Sequence, residues 1–183
     1  MSNLLEYNFP VIESDGLVSN KAATMGGAWT FNGAVTLNGT TTFSGAQVKQ
    51  VYGSSGNTSP TAAQSGSTFL FDTAAGITYT LPAPIVGATY DFVVTTSVTS
   101  SNHKVITSAG TIYLQGAITS ATTTASVFES VTGSTNISIT MNGTTTGGLV
   151  GSNFTFKCLS ATLWQVSGTN FTSGTTATPF ATT

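Results

Sequence analysis

The sequence predicts an all-β protein. We expect a jelly-roll-like β-sandwich or barrel preceded by an extended N-terminal arm and a short period-six β repeat, assembled as a trimer. Three observations lead there. Thr and Ser make up about a third of the 183 residues, and the helix formers Glu, Lys and Arg are scarce. Short runs of alternating polarity, rich in Val, Ile, Thr and aromatics, recur about every 8–15 residues between Gly-rich turns. A six-residue unit repeats three times near the N-terminus.

The elements follow in order. Residues 1–27 read as an arm. Leu4, Leu5, Tyr7, Phe9, Val11 and Ile12 are apolar, but Pro10 and Gly16 interrupt any regular element. An extended segment cannot bury such side chains alone, so it would lie on a partner surface or a neighbouring subunit. The alternative is a frayed terminus.

Residues 28–51 hold the repeat, which reads WTFNGA, VTLNGT, TTFSGA. Trp29, Phe31, Val35, Leu37 and Phe43 share odd parity, so a strand would present them on one face. Three units are too few to close a solenoid from one chain. Burying that face against identical chains makes these five residues a predicted trimer interface. The alternative is a hairpin or meander turning at Asn32-Gly33 and Asn38-Gly39.

Residues 52–67 are a linker by composition. Residues 68–168 form the main domain, with strands expected at 68–72, 77–81, 89–95, 104–107, 111–114, 125–130, 137–141, 153–159 and 163–167. Regular short strands with Gly-rich turns point to a sandwich or barrel. Residues 169–183 are read as a tail, either loose or wrapped on another subunit.

Charge excludes several functions. Only 5% of residues are charged, there is no arginine, and the net charge is −2. Typical domains carry about 25% charged residues. Nucleic-acid binding needs a basic patch, and four scattered lysines do not make one. No run approaches the roughly 18 apolar residues of a membrane-spanning helix, and the first residues lack the pattern of a signal peptide. We therefore expect neither nucleic acid nor membrane as a partner.

Candidate chemistry is sparse. His103, the single histidine, sits in Ser-Asn-His-Lys and reads as a polar turn residue. Asp72, Asp91 and Glu129 are isolated carboxylates, whereas glycoside hydrolysis needs a convergent pair. Asp91 lies between Tyr90 and Phe92 and is expected to face water. Cys158 shares parity with Phe154 and Phe156, which predicts a buried thiol rather than a reactive one. Nucleotide-binding, nucleophile-elbow and metal-ligand motifs are missing from the sequence. We expect no catalytic residues, no metal site and no cofactor.

Two segments carry a resemblance. GITYTLPAPIVGATYDFVVTTSVTSSNHKVIT (76–107) and FKCLSATLWQVSG (156–168) resemble a module of tailed-bacteriophage virion proteins. Its marks are the TLP strand end, the VGATYDF turn and strand, and a closing W-x-V-x-G strand at Trp164, Val166 and Gly168. The resemblance spans roughly 65–168 and implies a trimeric β-sandwich without catalytic residues. Such modules occur in capsid decoration proteins, head fibres and tail fibres. The short length, the apolar arm, the near absence of charge and the lack of an active site lead us to expect a decoration protein on the outer surface of the capsid, with the major capsid protein as partner. The arm residues 4–12 would then dock on the shell. The alternative role is a tail- or head-fibre adhesin that binds host-surface glycan, with Trp164 or Tyr113 stacking on a sugar. The alternation of the W-x-V strand places Trp164 in the core instead.

Overall fold

A computed structural model describes residues 48–53 and 59–183. The predicted arm and the predicted trimer-interface residues (Trp29, Phe31, Val35, Leu37, Phe43) lie outside the described residues. The strands are β1 (Val51–Tyr52), β2 (Thr68–Phe71), β3 (Thr78–Thr80), β4 (Thr89–Val94), β5 (His103–Ile106) and β6 (Tyr113–Ala121). Then come β7 (Ala125–Ser130), β8 (Ser138–Met141), β9 (Asn153–Ser160), β10 (Leu163–Phe171) and β11 (Phe180–Ala181). A single turn of 3-10 helix at Ala62–Gln64 is the one helical element among the described residues.

These strands form two packed sheets, so the fold is the predicted all-β sandwich. One sheet has seven strands in the order β1-β2-β4-β9-β10-β6-β7; the other has four, β11-β8-β5-β3. Pairing is mixed, whereas jelly rolls are antiparallel. β1–β2, β2–β4, β3–β5 and β6–β10 run parallel, and β4–β9, β9–β10, β6–β7, β5–β8 and β8–β11 antiparallel.

Alternation builds the core. The inward residues of the large sheet are Phe69 and Phe71, Tyr90, Phe92 and Val94, Phe154, Phe156 and Cys158, Trp164 and Val166, and Leu114 and Ile118. Tyr79, Val105, Ile139, Met141 and Phe180 meet them from the small sheet, and all belong to one cluster. Aromatic rings concentrate at its centre. Tyr79 lies 5.0 Å from Phe71 and 5.3 Å from Phe92, and Phe92 meets Phe156 edge-on at 5.4 Å. Such pairs add about 0.5–1.5 kcal/mol each beyond their area.

β10 is not a closing strand. It lies inside the large sheet, antiparallel to β9 and parallel to β6 over its full length. Two glycines make that packing feasible. A Cβ on Gly116, whose φ is +140°, would sit 1.8 Å from the Val166 carbonyl oxygen. On Gly168 it would sit 2.2 Å from the Asn153 carbonyl oxygen.

Three boundaries differ from the expectation. The described part of the predicted 52–67 linker belongs to the sandwich, within a compact unit that begins at Ala46. Tyr52 stacks on Phe69 at 5.1 Å, and the Tyr90 hydroxyl donates to the Thr61 carbonyl at 3.1 Å. Ser65 and Gly66 form a turn against the fold, the Gly66 amide donating to the Thr89 carbonyl. The predicted tail at 169–183 instead completes β10 and supplies β11, whose Phe180 is buried. β6 runs seven residues past its predicted end at 114, because Gly116 and Ala117 weaken the β signal in its middle.

Candidate functional site

The carboxylates Asp72, Asp91 and Glu129 sit at separate places among the described residues: the end of β2, β4 and the edge strand β7. Among the described residues, no group of three or more His, Cys, Asp or Glu side chains is placed to hold a metal ion. Asp91 points to the outer face of the large sheet as expected, where it accepts a hydrogen bond from the Thr155 hydroxyl at 2.6 Å. Glu129 is exposed on β7. Asp72 follows β2 at its C-terminal end and is half-buried.

His103 corrects the sequence reading. It is not a turn residue but the first residue of β5, and it is fully buried. Its ring lies against Phe71 at a centroid distance of 4.5 Å. Nδ1 accepts from the Ile77 amide at 3.1 Å, and Nε2 lies 3.4 Å from the Thr96 carbonyl. That pattern assigns the proton to Nε2. Burial lowers the imidazole pKa, opposed by the Thr96 backbone contact and the Asp72 charge. The histidine is thus a neutral structural link between β5, Ile77 and the β4–β5 connection.

Cys158 is buried, as its parity predicts, and its thiol donates to the Ser160 carbonyl at 3.3 Å. Burial raises its pKa, so the thiol is poorly disposed to ionise. Burial likewise raises Tyr90, with a smaller contribution from Cys158. Trp164 is fully buried, so its ring is not available to stack on a sugar. Its indole N–H has no hydrogen-bond partner among the described residues. Tyr113 is half-buried at the start of β6.

A polar network missed by the sequence reading holds one end of the sandwich. Asn170, buried on β10, accepts from the Gly148 amide at 3.1 Å and donates to the Thr146 carbonyl at 2.9 Å and the Ser120 hydroxyl at 3.2 Å. Asn142 organises the adjoining loop by accepting from the Thr144 and Thr146 amides at 2.9 and 3.0 Å. These contacts satisfy loop backbone that would otherwise be left unpaired.

The largest feature is the outer face of the seven-stranded sheet. Strand register lines up Thr68, Asp91, Thr155, Ser167, Ala117 and Glu129 in one row across six strands. Neighbouring rows contain Leu70, Val93, Asn153, Thr169, Thr119 and Val127, and Thr89, Lys157, Gln165 and Gln115. The face mixes hydroxyls and amides with apolar side chains, among them the exposed Val127, Leu159 and Phe171, and carries three charges, Asp91, Lys157 and Glu129. Chemically it can donate and accept hydrogen bonds over a broad area, and it presents no nucleophile activated by a base. No family model, curated protein or solved structure matches the chain.

Proposed function

We propose that this chain is a bacteriophage capsid decoration protein, a homotrimer that binds the outside of the head and stabilises contacts between capsomers of the major capsid protein. It acts by binding, without a cofactor. The observation that supports this reading is the broad, sparsely charged outer face, where hydroxyls and amides alternate with apolar side chains, on an aromatic-cored sandwich. The residues that resemble phage virion modules, 76–107 and 156–168, contribute β3, β4 and β5 and much of β9 and β10 to that sandwich. In this reading residues 4–12 dock on the shell, and the 28–46 repeat joins three chains.

The decisive experiment counts copies per particle on a stained gel of purified virions of the encoding phage. Decoration requires hundreds of copies. A few tens or fewer would favour a fibre adhesin directed at host-surface glycan. A particle that lacks the chain would overturn both.

A further inference from the structure

We infer that β7 is a self-pairing edge, through which two copies of this chain join their seven-stranded sheets across a two-fold axis. The inference goes beyond the decoration reading, since it stands on β7 alone. In a decoration lattice such a contact would link one trimer to the next.

β7 ends the large sheet. Its six residues pair with β6 on one side, from Gly116–Ser130 to Ala121–Ala125. On the other side, no backbone hydrogen bond to β7 occurs among the described residues. A strand edge left in this way presents a row of free amides and carbonyls that templates another strand. Proteins that keep an edge single guard it with charged side chains, above all lysine, with proline, a bulge or an inward charge, or with a covering loop. β7 reads Ala-Ser-Val-Phe-Glu-Ser, has no lysine or proline, and pairs with β6 without a register break. Its one charge is Glu129, and the segment before β11 reaches it through a side-chain contact, the Thr176 hydroxyl donating to the Ser126 hydroxyl at 3.1 Å. At the opposite end of the same sheet, β1 is only two residues long.

The side chains favour a copy of the same strand. Val127 is 60% exposed and Val131 just beyond β7 is 59% exposed, although both are apolar. A two-fold axis normal to the sheet keeps each face on its own side, so odd residues pair with odd. Centred on Val127, it sets Val127 against Val127, Ser126 against Phe128, and Ala125 against Glu129. Each glutamate then faces an alanine and stands four residues from its symmetry mate, so like charges are kept apart. Centred on Phe128 instead, it would set both glutamates against Val127. Isologous contacts of this kind are the commonest in soluble oligomers.

The register gives a specific test on the full-length purified chain. Directly opposed strand residues have Cα atoms about 4.5–5.5 Å apart, within disulfide range. Under mild oxidation Val127→Cys should give a band at twice the chain mass. Chains with Ala125→Cys or Glu129→Cys alone should stay single but cross-link when mixed. Val150→Cys, 58% exposed and away from β7, controls for random collision. Cys158 is buried and should not interfere. Val127→Lys should lower the mass seen by light scattering. The inference is overturned if Val127→Cys stays single, if it cross-links no faster than Val150→Cys, or if Val127→Lys leaves the mass unchanged. None of these readouts needs a virion, so they are independent of the copy-number test.

Discussion

At the scale of single residues, His103 shows how far a side chain's role depends on its surroundings. The same imidazole would titrate freely in a turn; inside β5 it is held neutral between the Ile77 amide, the Thr96 carbonyl and the Phe71 ring. Its folded pKa lies below the ordinary 6.5. The neutral form is therefore favoured by folding. That stability is fully present above the unfolded pKa and is lost as pH falls from about 6.5 toward the folded value. The urea midpoint should drop between about pH 7.5 and 5, where the unfolded histidine protonates first. His103→Asn should flatten that drop, and a variant with an unchanged slope would refute the assignment. Asp72, the carboxylate named in this environment, offsets part of the burial effect and should soften the slope.

At the scale of elements, alternation was highly legible. All nine strands expected within 68–167 are present, because most of them bury every second residue and that period is written into the chain. Cys158, Trp164 and Asp91 took their faces from the same parity. His103 escaped because a polar residue beside Asn and Lys looks like a turn, and only tertiary contacts show its ring to be inside. β1 and β11 escaped because two-residue strands carry no period. The edge position of β7 escaped for another reason: a strand's span is local information, but its place in a sheet is set by strands far away in sequence. β6 illustrates the same limit. Its glycine looks like a break and is instead the position where β10 comes closest. Gly116→Ala should therefore cost about 2–4 kcal/mol, combining backbone strain with overpacking against the Val166 carbonyl. A chemical unfolding midpoint measures it, and a cost below about 0.5 kcal/mol, typical of a neutral surface change, would contradict the geometry.

At the scale of the whole molecule, scarcity of charge shapes association. With 5% charged residues, any contact between copies, or with the shell of the proposed role, would rest on backbone pairing, apolar burial and neutral hydrogen bonds. Their strength should change little as salt rises to about 1 M, where the Debye length shrinks to about 3 Å. Light scattering across that range should return one oligomeric mass, and a steep salt-induced dissociation would show that ion pairs hold the assembly. The two-sheet architecture was foreseen, whereas its mixed pairing was not, because parallel neighbours such as β6 and β10 are joined through long excursions that no local pattern encodes.

That pairing also sets a timetable for synthesis. The centre of the large sheet needs β10, yet β10 leaves the ribosome after nearly all its partners. Until residue 171 has emerged, β6 and β7 are a hairpin without a sheet, and β2 and β4 lack the β9–β10 strands that connect them to it. Folding is thus dominated by distant contacts, the regime of slow folders. Nascent chains would spend that interval with aromatic strands exposed, a state prone to mutual capture when many copies are made together.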